Sequence, residues 1–106
     1  MPLLRVQIVR FTNATFPGWV ASALHDAFGR TWEFVDKVAV FTTASLDEFS
    51  VYPQPGVIAC EVVQQHTDEH GRQLWTIDTE RPWGVAATSG ETRFEVCADQ
   101  FATAAT

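Results

Sequence analysis

Two cysteines and two histidines, Cys60, His66, His70 and Cys97, have the side-chain types that suit a zinc ion. Their spacing speaks against a shared site. If Cys60 and His66 lie on one strand they share a face, yet at about 3.3 Å per residue they stand roughly 20 Å apart. Zinc ligands converge within about 2.3 Å of one ion. His66 and His70 flank a turn and can approach each other, but two ligands do not make a site. No metal or other cofactor is expected. Both cysteines read as small buried apolar residues, since a secreted domain of this size would carry more of them at closer spacing.

A pair of carboxylates is the minimum for general acid and base work. Asp36 and Asp78 are the candidates, each following a segment that contains a tryptophan. Each equally well marks a strand end. Nothing in the chain matches a Gly-rich phosphate loop, a Gly-x-Ser-x-Gly elbow or a His-Glu-x-x-His helix. An enzyme built on Asp36, Asp78 or a histidine is therefore kept as a third reading, behind two forms of binding.

Aromatic residues outside the regular pattern point to those two. Phe28 sits at the tip of a turn, where a large apolar side chain is hard to bury. Asp47, Glu48, Phe49 and Tyr52 form an irregular, acidic and aromatic loop, the kind of segment that carries function on a rigid β scaffold. These five residues are the expected partner-binding set, and a protein-binding module without catalysis is the leading expectation. The alternative is a small-ligand barrel whose mouth holds an apolar molecule near Arg81 and Trp83, a lone cation beside a ring. Trp19, directly after Pro17-Gly18, is a further ring near a chain break.

Charge narrows the partners. Thirteen acids against seven bases give a formal charge of −6 over 106 residues. The bases are scattered, so no cationic face is expected to meet nucleic acid or an anionic membrane. The start, Met1-Pro2-Leu3-Leu4-Arg5-Val6, lacks the basic stretch, apolar core and cleavage site of a secretory signal, and no run approaches a membrane span. A cytoplasmic location is expected. Hydrophobic residues make up 46% and charged residues 19%, which excludes a disordered chain. Many acids stand at turns and strand ends (Asp26, Asp36, Asp68, Glu69, Asp78, Glu80, Glu91), where they would keep a β surface soluble.

The elements that must position these groups read with period two. Leu4, Val6 and Ile8 alternate with Arg5 and Gln7, and the parity changes near Val9–Phe11, which predicts a bulge. Trp19 to Leu24 is a second strand. Asp26-Ala27-Phe28-Gly29-Arg30 is a hairpin turn, with Asp bonding its own backbone and Gly closing the loop. That turn sets Leu24 opposite Trp32 and Ser22 opposite Phe34, with Val20 on the same face. The returning strand is expected to run from Thr31 to Phe41, with a break near Asp36-Lys37. Pro55-Gly56 opens a strand from Val57 to His66, Asp68-Glu69-His70-Gly71-Arg72 repeats the turn, and Gln73 to Asp78 returns. Arg30 or Arg72 can pair with Asp26 or Asp68 across either turn. The repeated grammar is either a decayed duplication or one good turn used twice.

A last hairpin is expected around Ser89-Gly90, setting Ala87 against Thr92, Val85 against Phe94 and Trp83 against Val96. Trp32, Trp75 and Trp83 all fall on apolar faces and are assigned to the core. Ser45 with Glu48 is a capping-box pattern, so one short helical turn is expected near residues 45–50 before Pro53 and Pro55 stop it. The fold class is all-β: an antiparallel meander of hairpins forming a small barrel or sandwich. Residues 1–101 form a single domain and 102–106 a frayed tail. A homodimer through an edge strand is possible on this pattern, with the first strand as the expected edge.

Overall fold

The computed structural model describes residues 1–102. The chain forms two antiparallel sheets that face each other as a sandwich. Sheet one holds β1 (Leu3–Asn13), β2 (Trp19–His25), β3 (Thr31–Lys37) and β4 (Gln54–Ala59) in the order β3-β2-β1-β4. Sheet two holds β5 (Glu61–Thr67), β6 (Gln73–Asp78) and β7 (Arg93–Cys97) in sequence order. The sheets do not close into a barrel. No helix among the described residues is long and apolar enough to cross a membrane.

Alternation builds the first sheet as expected. Leu4, Val6 and Ile8 are buried while Arg5 and Gln7 are exposed. The register shifts between Ile8 and Arg10, where the parity of the sequence changes. β2 pairs with β3 as Leu24↔Trp32, Ser22↔Phe34 and Val20↔Asp36, the register that the Asp26–Arg30 turn implies. β1 lies between β2 and β4 and is an interior strand. The expectation that it is an exposed edge is thereby corrected.

Three further segments depart from the pattern for local reasons. β3 stops at Lys37, and Val38–Phe41 (α1) forms a single helical turn. The Val38 amide bonds the Gly18 carbonyl at 3.1 Å, and Val38 and Phe41, three apart, are both buried. That spacing puts both on one helical face, whereas the Val38/Val40 alternation reads as strand. The helical turn thus lies before the expected 45–50 segment. There, a β-turn closes instead from the Ser50 amide to the Asp47 carbonyl at 3.2 Å. The long strand expected over Val57–His66 breaks at buried Cys60, so that β4 belongs to sheet one and β5 to sheet two.

The last hairpin is the largest correction. β7 pairs with β6, setting Ile77 against Phe94 and Trp75 against Val96, and Trp83–Ala87 is not a strand. Buried Thr79 explains the reversal. Its hydroxyl donates to the carbonyls of Val85 and Thr92, its amide bonds the Thr92 carbonyl, and the Val85 amide returns to its own carbonyl. These bonds fold residues 80–91 into a loop. Val85 and Ala87 reach the core, while Trp83 is 68% exposed and does not.

The core joins the two sheets. The Phe94 ring meets Trp32 at 5.2 Å and Phe34 at 5.6 Å between centroids, both edge-on. Phe41, Ile58, Ile77 and Phe101 extend the same cluster. At Gly56 the backbone of α1 comes close to the sheet. A Cβ there would lie 2.9 Å from the Ile8 side chain and 3.2 Å from the Phe41 carbonyl oxygen. Past β7, a 3-10 turn at Ala98–Gln100 carries the chain back to sheet one. There Phe101 bridges Leu4, and the Ala102 amide bonds the Leu3 carbonyl at 2.7 Å. Ala102 is therefore held in place, and the rest of the expected frayed tail lies outside the described residues.

The two Asp-x-x-Gly-Arg turns meet in space. Arg72 pairs with Asp68 at 2.9 Å, donates to the Ala27 carbonyl of the other turn at 3.0 Å, and stands 5.8 Å from the Phe28 ring centroid. The first turn is built differently, because Asp26 Oδ2 accepts the Trp32 indole N–H at 2.9 Å where Asp68 takes an arginine side chain, while Arg30 reaches Asp26 only through its backbone amide. Arg72 thus ties sheet two to the tip of the β2–β3 hairpin. Replacing it by alanine should lower stability by about 1 kcal/mol, since the pair is partly exposed. Arg30→Ala at the equivalent position should stay within about 0.5 kcal/mol of the parent. Urea midpoints of the two variants check this, and equal losses would contradict the asymmetry.

Candidate binding surface at the loop end

Two connections come together where β1 ends and β2 begins. One runs from Ala14 to Gly18, the other from Thr42 to Pro53. They meet around a hollow of about 250 Å³ lined by Phe11, Ala14, Phe16, Leu46, Asp47 and Glu48, among others. Phe16 is 94% exposed and Phe49 is 86% exposed, more than any other large apolar residue among those described.

Each of these rings stands on a turn held by a side-chain amide or carboxylate. Asn13 Oδ1 accepts the Thr15 amide at 2.8 Å, and the Gly18 amide bonds the Thr15 carbonyl at 2.8 Å. Phe16 sits inside that turn. Gly18 has φ +93, a conformation glycine adopts without a Cβ penalty. In the second loop, Asp47 Oδ1 accepts the Phe49 amide at 2.8 Å, and the Asp47 amide bonds the Ser50 hydroxyl at 3.0 Å. Tyr52 packs its ring against the core and donates its hydroxyl to the Asp47 carbonyl at 2.7 Å. Glu48 is exposed and makes no hydrogen bond or ion pair among the described residues.

The expected partner-binding set therefore divides. Asp47, Glu48, Phe49 and Tyr52 belong to one loop; Asp47 is exposed but its carboxylate is engaged within the loop, whereas the side chains of Glu48 and Phe49 are presented outward without such a bond. Phe28 lies at the other end of β2, about 20 Å away along the strand, and its ring is covered in part by Arg72. Phe16 was not in the expected set. Its signal was an aromatic placed among Thr, Asn and Ala directly before Pro17-Gly18, where no alternation directs it inward. Trp19, the ring singled out at that break, is half-buried with the Lys37 ammonium 5.7 Å from its centroid.

Arg81 and Trp83 are exposed on the 80–91 loop and line none of the hollows described. Two larger grooves, of about 400 and 470 Å³, flank Arg5, whose guanidinium is already engaged with the Asp99 carbonyl at 2.9 Å. Asp36 and Asp78 stand on different sheets. The three histidines face separate partners: His25 meets the Thr31 hydroxyl, His66 stands 3.8 Å from Glu95, and His70 stands 3.6 Å from Glu69. Among the described residues no group of three or more His, Cys, Asp or Glu could hold a metal ion.

Cys60 and Cys97 are unpaired, and burial pushes the Cys60 thiol up to about 11. Asp78 is held below the ordinary carboxyl value of 3.8, first because its Oδ1 accepts the Glu80 amide at 2.9 Å. Burial opposes this, while Arg93 and Thr92 reinforce it. At Asp68 burial pushes upward but is outweighed by the Arg72 side chain and by the amides of Arg72 and His70, so that carboxyl too lies below 3.8.

Comparison of the chain with protein-family models, with curated proteins and with solved structures finds no match.

Phe16→Ser and Phe49→Ser should leave the thermal midpoint almost unchanged, because both rings are already in water. Tyr52→Phe should cost about 1 kcal/mol by removing the bond that closes the loop. A loss at Phe16 as large as that at Tyr52 would contradict the assignment of display to one and anchoring to the other. Asp78→Asn tests the electrostatics. A carboxyl with a depressed folded-state value stabilises above its unfolded value and loses that contribution as pH falls through the folded one. The stability gap between parent and variant should therefore be full at neutral pH and close below about pH 4, as read from urea midpoints. A gap independent of pH would refute it.

Proposed function

We propose that this protein is a non-catalytic interaction module that docks on another protein through Phe16 and Phe49. The observation that carries the reading is the exposure of these two rings on adjacent, internally bonded turns. Burying a phenylalanine side chain stabilises by about 1.5–3 kcal/mol. Leaving two in water forgoes that gain unless a partner supplies the cover. Holding them on closed turns also lowers the ordering cost of association, and aromatic anchors near the centre of a patch commonly carry most of the binding energy.

Charge indicates what the partner surface is like. Glu48 stands free between the rings in sequence terms, one residue from Phe49, and the chain as a whole carries −6. The complementary surface is an apolar cleft bordered by Lys or Arg, and the net charge would speed encounter with it. The space between the sheets, by contrast, is occupied by Phe34, Phe41, Phe94 and Phe101 with their aliphatic neighbours. That packing favours surface binding over a ligand held in the interior.

Site-specific photo-crosslinking tests the proposal. A benzophenone amino acid at position 16 or 49 should yield the same discrete adducts in cells, and Glu48→Lys should weaken them. The same probe at position 28 or 83 should not yield them. No adduct from positions 16 and 49, or identical adducts from all four, would overturn the reading.

A further inference from the structure

We infer that β5 is a docking edge for a second copy of this chain, pairing with its own equivalent across a two-fold axis. The sandwich has four edge strands, β3 and β4 in one sheet and β5 and β7 in the other. Three of them are obstructed from within the chain. The Thr88 amide bonds the Glu33 carbonyl of β3 at 2.7 Å, and the Ala27 amide bonds the Glu95 carbonyl of β7 at 2.8 Å. β4 contains Pro55, which lacks an amide donor, and is flanked by α1. Among the described residues, β5 has its ladder with β6 and no other backbone hydrogen bond, proline or helix against it.

The composition of β5 suits a strand partner. It reads Glu-Val-Val-Gln-Gln-His-Thr, with no proline or glycine and one charged residue, Glu61. In a chain of net charge −6, this is a nearly neutral strip along which two copies can approach. Val63, at the register shift between Val62 and Gln64, is 41% exposed. A two-fold centred on Gln65 sets Gln65 against its own copy, Gln64 against His66, and Val63 against Thr67. No like charges face each other in that ladder. An edge that is unpaired in one protomer is unpaired in the other, so one isologous contact satisfies both and closes the assembly. A foreign strand offers no such self-consistency on this sequence, and it becomes an outcome of the test.

The contact spans few residues and so belongs to the weak class of interfaces. Sedimentation equilibrium over a concentration series should show reversible monomer–dimer exchange. Gln65→Lys and Gln65→Glu each place like charges across the axis, and each should raise the dimer dissociation constant by about fivefold. An equimolar mixture of the two variants should restore association as a heterodimer. Far-ultraviolet circular dichroism should remain that of the parent throughout, since Gln65 is exposed. Phe16→Ser with Phe49→Ser should leave dimerisation intact, which separates this contact from the loop surface. A parent that stays monomeric at its highest soluble concentration, or a dimer indifferent to both charges, would refute the inference. So would capture of a foreign strand by β5 without self-association.

Discussion

The contact of the Phe94 ring with Trp32 and Phe34 is the joint on which the rest of the molecule depends. Among the described residues the helices are a four-residue turn and a 3-10 turn, neither long enough to cover a sheet, so each sheet buries its apolar face in the other. One sheet has four strands and the other three, and each presents an apolar face that the other covers. The chain therefore crosses between them repeatedly. It does so at Cys60 between β4 and β5 and at Ala98–Ala102 on the return to β1, while the 80–91 loop leaves sheet two after β6, bonds the edge of sheet one through Thr88 and comes back to β7. Arg72 adds a polar tie between the two hairpin turns.

The connecting segments determine what is left open. A loop or turn of one sheet that reaches over the edge of the other bonds that edge. Thr88 does this to β3 and the Asp26–Arg30 turn does it to β7. Thr79 is the internal counterpart: a fully buried polar residue whose hydroxyl and backbone satisfy the carbonyls of Val85 and Thr92 and the amide of Val85, holding the β6–β7 loop in place. A buried hydroxyl is tolerated only where such partners exist. Ser22, equally buried, has no partner for its Oγ, and its place opposite Phe34 is explained by size and register alone.

Much of this architecture was legible because hairpins are local. The β2–β3 register followed from one Asp-x-x-Gly-Arg turn, and the bulge in β1 from one change of parity. What was not legible was non-local. Val85 and Phe94 alternate well enough to pair, and nothing within the 83–97 segment says that β6 is the better partner for β7. That choice is made by Thr79, outside the segment. Likewise Val38 and Val40 read as strand until the Gly18 carbonyl, distant in sequence, captures the Val38 amide. The acids at turns were legible in position but not in role. Asp26, Asp68 and Asp78 accept backbone amides, so they build the turns as well as solvating them.

The loop from Asp47 to Tyr52 shows the same division at the candidate surface. Its sequence marks it as acidic and aromatic, and that description lumps together residues with opposite tasks. A loop that merely plugged the end of the sandwich would turn both rings inward, as Tyr52 does, with its hydroxyl fastened to the Asp47 carbonyl. Asp47 is likewise spent internally, its carboxylate holding Phe49 and Ser50. Once these two are subtracted, Glu48, Phe49 and Val51 are what the loop offers to solvent. The Ala14–Gly18 connection repeats the arrangement with an amide in place of the carboxylate and Phe16 in place of Phe49. Two unrelated stretches thus reach the same solution side by side, a closed turn with an outward ring. Neither ring is needed for the turn that holds it, since every closing bond is made by backbone, Asn13, Asp47, Ser50 or Tyr52. Packing within the chain gives no account of rings in those positions; the docking contact proposed for them would.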